Sequence, residues 1–73
     1  MNVITPREKQ VLAQISLGLT TREIASALYV STHTIHTHRK NLLVKMDVPN
    51  TAGLVRKGFE CGLLSLSTTP AIY

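Results

Sequence analysis

Three histidines stand at positions 33, 36 and 38, directly ahead of Arg39 and Lys40. Imidazole ligates metals and exchanges protons near neutral pH, so this cluster is the first place to look for chemistry. On a helix His33 and His36 are three residues apart, which suits two ligands of one ion. A stable site needs further strong ligands, and none accompanies them: the single cysteine, Cys61, falls on a different segment. Glu8 and Glu23 resemble a carboxylate pair for acid–base work. Each, however, follows a threonine by three residues (Thr5, Thr20) ahead of an apolar periodic run, and a helix capping box accounts for both. No nucleophile with a partner base and no phosphate-cradling loop is present, so neither an enzyme nor a cofactor is expected. What remains is recognition chemistry: the ring nitrogens of His33 and His36, the hydroxyl of Thr37 and the ammonium of Lys40.

Helices must position these groups, and the punctuation is clear. Thr5 caps a first helix that has Pro6 at its first position and is expected over residues 6–17, with Val11, Leu12 and Ile15 on one side, Leu19 just beyond, and Gly18 as the stop. Thr20 and Glu23 open a second helix over 21–28, with Ile24, Ala25 and Leu28 inward. Tyr29 and Val30 form a short turn without the glycine such turns often carry. Ser31 then caps a third helix over 32–46, whose inward face is read as Ile35, His38, Leu42 and Met46. His38 is accordingly expected to be packed and hydrogen-bonded. Asp47, Val48 and Pro49 end that helix. Asn50 caps a fourth over 51–61, with Leu54, Val55, Phe59 and then Leu63 inward and Gly62 as the stop. Cys61 reads as a packing thiol. Residues 1–64 are taken as one domain and 65–73, rich in Ser and Thr with Pro70, as a flexible tail. The fold class is all-α, four helices with no strand-like alternation.

Seventy-three residues hold one small core, too small for a large active-site cavity. Hydrophobic residues are 44% of the chain, which excludes intrinsic disorder. Eight Lys and Arg against four acids give a net charge of +4, the balance of a domain that meets polyanions. No apolar run approaches the ~18 residues of a membrane span, and no signal peptide is seen, so a cytoplasmic, non-membrane protein is expected.

A short helix, a tight turn and a longer helix with a basic outward face are what a helix-turn-helix reader of DNA requires. The stretch from Ser31 to Met46 contains Arg39, Lys40 and Lys45 and no acid. A four-helix bundle with a merely solvated polar face fits the same pattern. So do a helical protein-interaction module and a promoter-recognition domain of the sigma-factor kind, which also carries a helix-turn-helix. Ser31 is first an N-cap, and it could also meet a phosphate, since helix N-termini favour anions.

A series of motifs narrows the choice. Thr5-Pro6-Arg7-Glu8; Gly18-Leu19-Thr20-Thr21-Arg22-Glu23-Ile24-Ala25; Val30-Ser31 with Thr34-Ile35 and His38; Leu42, Lys45 and Met46; and Asn50-Thr51-Ala52-Gly53-Leu54-Val55 follow one another in order. Together, over residues 4–64, they resemble the LuxR-type (GerE-type) DNA-binding domain of bacterial transcriptional regulators. The resemblance implies double-stranded DNA as partner, with base contacts at His36, Thr37 and Lys40 and phosphate contacts near Thr20, Ser31, Thr34, Arg39 and Lys45. It also implies a homodimer on DNA through the fourth helix, with contacts at Thr51, Val55 and Gly58, and RNA polymerase as a further partner. Position 36 departs from the family pattern, which commonly has lysine there. Such domains usually follow a receiver or ligand-binding domain; only four residues precede Thr5, implying an excised domain or an unusually short regulator.

Overall fold

The computed structural model describes residues 3–64, and the tail expected over residues 65–73 lies outside them. Four helices follow in order: α1 (Pro6–Ser16), α2 (Thr21–Leu28), α3 (Thr32–Met46) and α4 (Thr51–Glu60). The described residues contain no strand. Each helix begins on a side-chain cap. Thr5 and Thr20 accept from the amides of Glu8 and Glu23, whose carboxylates accept in return from the Thr5 and Thr20 amides, so both capping boxes are closed. Ser31 Oγ accepts from the Thr34 amide and Asn50 Oδ1 from the Gly53 amide.

All four helices end the same way. One residue turns left-handed, and the next donates its amide back to a carbonyl five residues earlier: Leu19 to Gln14, Val30 to Ala25, Val48 to Leu43 and Leu63 to Gly58. The left-handed residues are Gly18, Tyr29, Asp47 and Gly62. The expected glycine stops at 18 and 62 account for two of these ends. At Asp47 the helix closes by this motif before Pro49 is reached. At Tyr29 a bulky side chain occupies a conformation that costs an L-residue about 1–2 kcal/mol, with φ at 59°. The ring is 94% exposed and packs on little. Tyr29→Gly is therefore expected to stabilise the domain by about 1 kcal/mol, raising the thermal midpoint by roughly 4–8 °C. A melting curve no higher than that of the parent chain would refute this.

The core is a single cluster of Val11, Leu12 and Ile15 from α1, Ile24 and Ala25 from α2, Ile35, Leu42 and Met46 from α3, Leu54 from α4, and Leu64. Helices α1 and α3 each touch the other three, whereas α2 and α4 do not meet. This makes α3 a rigid element with one face fixed by packing and the other left free. Three residues differ from the sequence expectation. His38 is half-buried and its ring makes no hydrogen bond among the described residues. Phe59 remains 38% exposed, because the residue that α4 turns inward at that level is Gly58. A Cβ there would lie 2.7 Å from Leu64 Cδ1 and 3.3 Å from Leu12 Cδ2, so the absent side chain is what lets Leu64 close the core. Cys61 is exposed and not a packing thiol.

Candidate nucleic-acid interface

Because Ile35, Leu42 and Met46 anchor α3 inward, its opposite side is set by helical geometry. His33, His36, Thr37, Lys40, Asn41 and Val44 are all exposed, at the i, i+3, i+4, i+7, i+8, i+11 spacing of one stripe. His36, Thr37 and Lys40, expected to read bases, thus share one face. His33 lies between them and the helix start, and Asn41 and Val44 extend the stripe beyond. The sequence reading passed over Asn41 and Val44, although the same periodicity places them there. Val44, at 69% exposed, stands beside a shallow groove formed with Lys40, Leu43, Asp47, Val48 and Pro49. Thr37 is partly committed within the helix: its Oγ1 donates to the His33 carbonyl at 3.1 Å.

The groups expected to meet phosphates divide in two. Thr20 and Ser31 stand exposed at the N-termini of α2 and α3, where free amides and the helix dipole favour an anion. Ser31 Oγ and Thr34 Oγ1 lie 3.0 Å apart, so one hydroxyl hydrogen sits between them and the other is left to donate. Arg22, which the sequence reading did not single out, is exposed in the first turn of α2 close to Thr20. Arg39 is half-buried, and its Nε is enclosed without a hydrogen-bond partner among the described residues.

Lys45 is placed differently from the rest. Its Nζ donates to Glu8 Oε1 at 2.7 Å and to the Val3 carbonyl at 2.9 Å, two of its three donors. Glu8 is nearly sealed, with its side chain 4% exposed, while Lys45 is 24% exposed. Burial pushes the Glu8 carboxyl up. The hydrogen bonds from Lys45 and the Thr5 amide, with the Lys45 charge, outweigh it and hold Glu8 below its ordinary value. One carboxylate oxygen thus caps α1 and ties it to the last turn of α3, so Lys45 braces the recognition helix from behind.

The acids of the chain are mostly taken up inside it. Glu8 is paired with Lys45, Glu60 with Arg56 on α4, and Glu23 serves its capping box. Arg22, Arg39 and Lys40 have no acidic partner among the described residues. The face of α3 from His33 to Val44 therefore carries a net positive field, with the exposed Asp47 near Lys40 at its C-terminal end. No group of three potential metal ligands comes together among the described residues.

The description "Bacterial regulatory proteins, luxR family" fits residues 2–57, most of the chain. The chain belongs to that family. It is a helix-turn-helix DNA-binding domain of transcriptional regulators, and not an enzyme. Relatives include the transcriptional regulatory protein MctR of Rhizobium johnstonii, 42% identical over 85% of this chain and 29% of that protein. The transcriptional regulatory protein UhpA of Escherichia coli is 40% identical over 78% of this chain and 29% of its own length. The transcriptional activator protein EsaR of Pantoea stewartii is 35% identical over 94% of this chain and 28% of its own. The chain thus spans under a third of the length of these relatives. Among solved structures, the response regulator ChrA of a heme-sensing two-component system superposes with a TM-score of 0.84 at 25% identity, over 88% of this chain and 32% of that one. The LuxR-family domain here shares its four-helix fold. No described helix is long and apolar enough to cross a membrane.

Proposed function

We propose that this LuxR-family domain reads a specific double-stranded site with α3 in the major groove, His36, Thr37 and Lys40 facing base edges. Thr20, Arg22, Ser31, Thr34 and Arg39 hold the flanking phosphates. The observation that carries the reading is the acid-free, exposed stripe from His33 to Val44 on a helix whose other side is locked into the core. The major groove admits a helix, and it alone presents a distinct donor–acceptor pattern for every base pair. Lys45 keeps one free donor for a phosphate, but its main task is the pair with Glu8.

On DNA two copies pair through α4. Thr51 and Val55 are half-buried and available in part; Gly58 is covered by its own chain, so the exposed Phe59, four residues after Val55, completes that surface. The protein acts in the cytoplasm, where a bacterial chromosome is reached, and contact with RNA polymerase follows from the family resemblance.

Selection of a binding site from random duplexes, then repeated with variants, tests this reading. Lys40→Ala is expected to lose about 1–3 kcal/mol of preference for the selected site over random DNA. His36→Lys should change the preferred base while keeping general affinity. Unchanged site preference in both Lys40→Ala and His36→Ala would remove α3 from the groove.

A further inference from the structure

Thr37 is the one position on the stripe whose hydrogen-bonding polarity is set by the protein itself. A threonine hydroxyl has one hydrogen and two lone pairs. Here the hydrogen is spent on the His33 carbonyl one turn back, with Oγ1 at 3.1 Å from it. On a helix this is one of the two χ1 rotamers open to threonine, with the oxygen turned toward the preceding turn and the γ-methyl in a different staggered position. The side chain stays exposed. A partner in front of α3 thus meets a methyl group and an oxygen that accepts as long as its hydrogen stays on the His33 carbonyl.

The neighbours on the stripe offer the opposite. Lys40 brings donors alone, and His33 and His36 each bring at least one ring N–H. Thr37 is therefore a donor-free island between donor-bearing side chains. A guanine edge presents N7 and O6, both acceptors, which the hydroxyl meets only by giving up its bond to the His33 carbonyl. A thymine presents its C5-methyl, which packs against another methyl and needs no donor. An adenine N6 or cytosine N4 amine can also satisfy the oxygen, but only an A·T pair supplies an amine and a methyl together.

We infer that Thr37 is a thymine-methyl reader: its γ-methyl packs on the C5-methyl of one thymine, and its committed hydroxyl rejects guanine at that position. The inference rests on α3 lying in the major groove, and it adds which base class Thr37 selects and by what chemistry.

The test begins with the site selected by the parent domain, in which each thymine is replaced in turn by deoxyuridine. That change removes the C5-methyl and leaves the hydrogen-bonding edge intact. One replacement is expected to weaken binding about fourfold, the factor for a single buried methyl-sized group. Thr37→Val keeps a γ-methyl and cannot donate, so it should retain both that sensitivity and the exclusion of guanine. Thr37→Ser keeps the hydroxyl and loses the methyl, so it should bind thymine and deoxyuridine at that position alike. The position is exposed, so both variants should fold, as circular dichroism melts will show. A Thr37→Ser domain that still senses the thymine methyl, or a Thr37→Val domain that loses thymine preference, overturns the inference. So does a parent domain that binds its site with no methyl-sensitive thymine. In each of these cases DNA binding itself persists. Failure of the major-groove reading looks different: no site is selected by the parent domain at all, and the Thr37 assignment falls with it.

Discussion

Lys45→Ala is expected to lower the unfolding free energy by about 2–3 kcal/mol, a large share of what a domain this small holds in reserve. The mutation removes the one cation paired with Glu8 Oε1 among the described residues and leaves without it a carboxylate that is 4% exposed. Lys45 is itself 24% exposed, which places the loss below that of a fully buried pair. Desolvation costs an unpaired buried charge more than it costs a neutral group, so Glu8→Gln with Lys45→Met should recover most of the loss. Gln also preserves the capping box with Thr5. The pH dependence gives an independent check. In the parent chain the folded-state Glu8 carboxyl is held below its ordinary value. Its stabilising contribution is therefore present above the unfolded-state value, and is lost as the pH falls through the folded one. In Lys45→Ala burial is opposed only by the hydrogen bonds with Thr5, so the carboxyl moves up from its place in the parent, and the deficit should shrink as the pH is lowered from 7 through the carboxylate range. Urea melts across that range decide it. A deficit that does not change with pH would mean that the charge on Glu8 is not the source of the loss.

DNA affinity should fall on the order of a hundredfold between 50 and 200 mM salt, which corresponds to roughly four phosphates neutralised per domain. Arg22, Arg39 and Lys40 have no acidic partner among the described residues, and the N-termini of α2 and α3 add amide donors and partial charge. Lys45 contributes little to this count because its ammonium faces Glu8. Fluorescence anisotropy on a random duplex at a series of salt concentrations measures the slope. Arg22→Ala should lower its magnitude by about one. Lys45→Met in the Glu8→Gln background should leave it nearly unchanged. Affinity that is independent of salt would remove the electrostatic basis of the interface.

Much of this protein was legible in its residues because the signals are local. Thr5 with Glu8, Thr20 with Glu23, Ser31 and Asn50 mark helix starts through bonds that span three residues, so α2 and α3 have the bounds expected of them, and α1 and α4 end one residue early. The inward faces of α1 and α2 follow from the helical period, as do Ile35, Leu42 and Met46 on α3. The helix-turn-helix pattern and then the LuxR-type motifs pointed to DNA from the sequence.

What local signals could not carry was decided by packing across the chain. Glu8 had a complete local explanation as a capping residue; its burial against Lys45, thirty-seven positions away, required α1 and α3 to come together. That same meeting turned Lys45 inward. On α4 a period-based reading prefers the large Phe59 to the small Gly58. The space between Leu12 and Leu64 admits no Cβ, so the glycine faces in and the phenylalanine is left half outside. Tyr29 shows the same limit in a turn, since nothing in a tyrosine announces a left-handed backbone. The packing of α2 on α3 requires the chain to reverse there, and the residue present takes the strain.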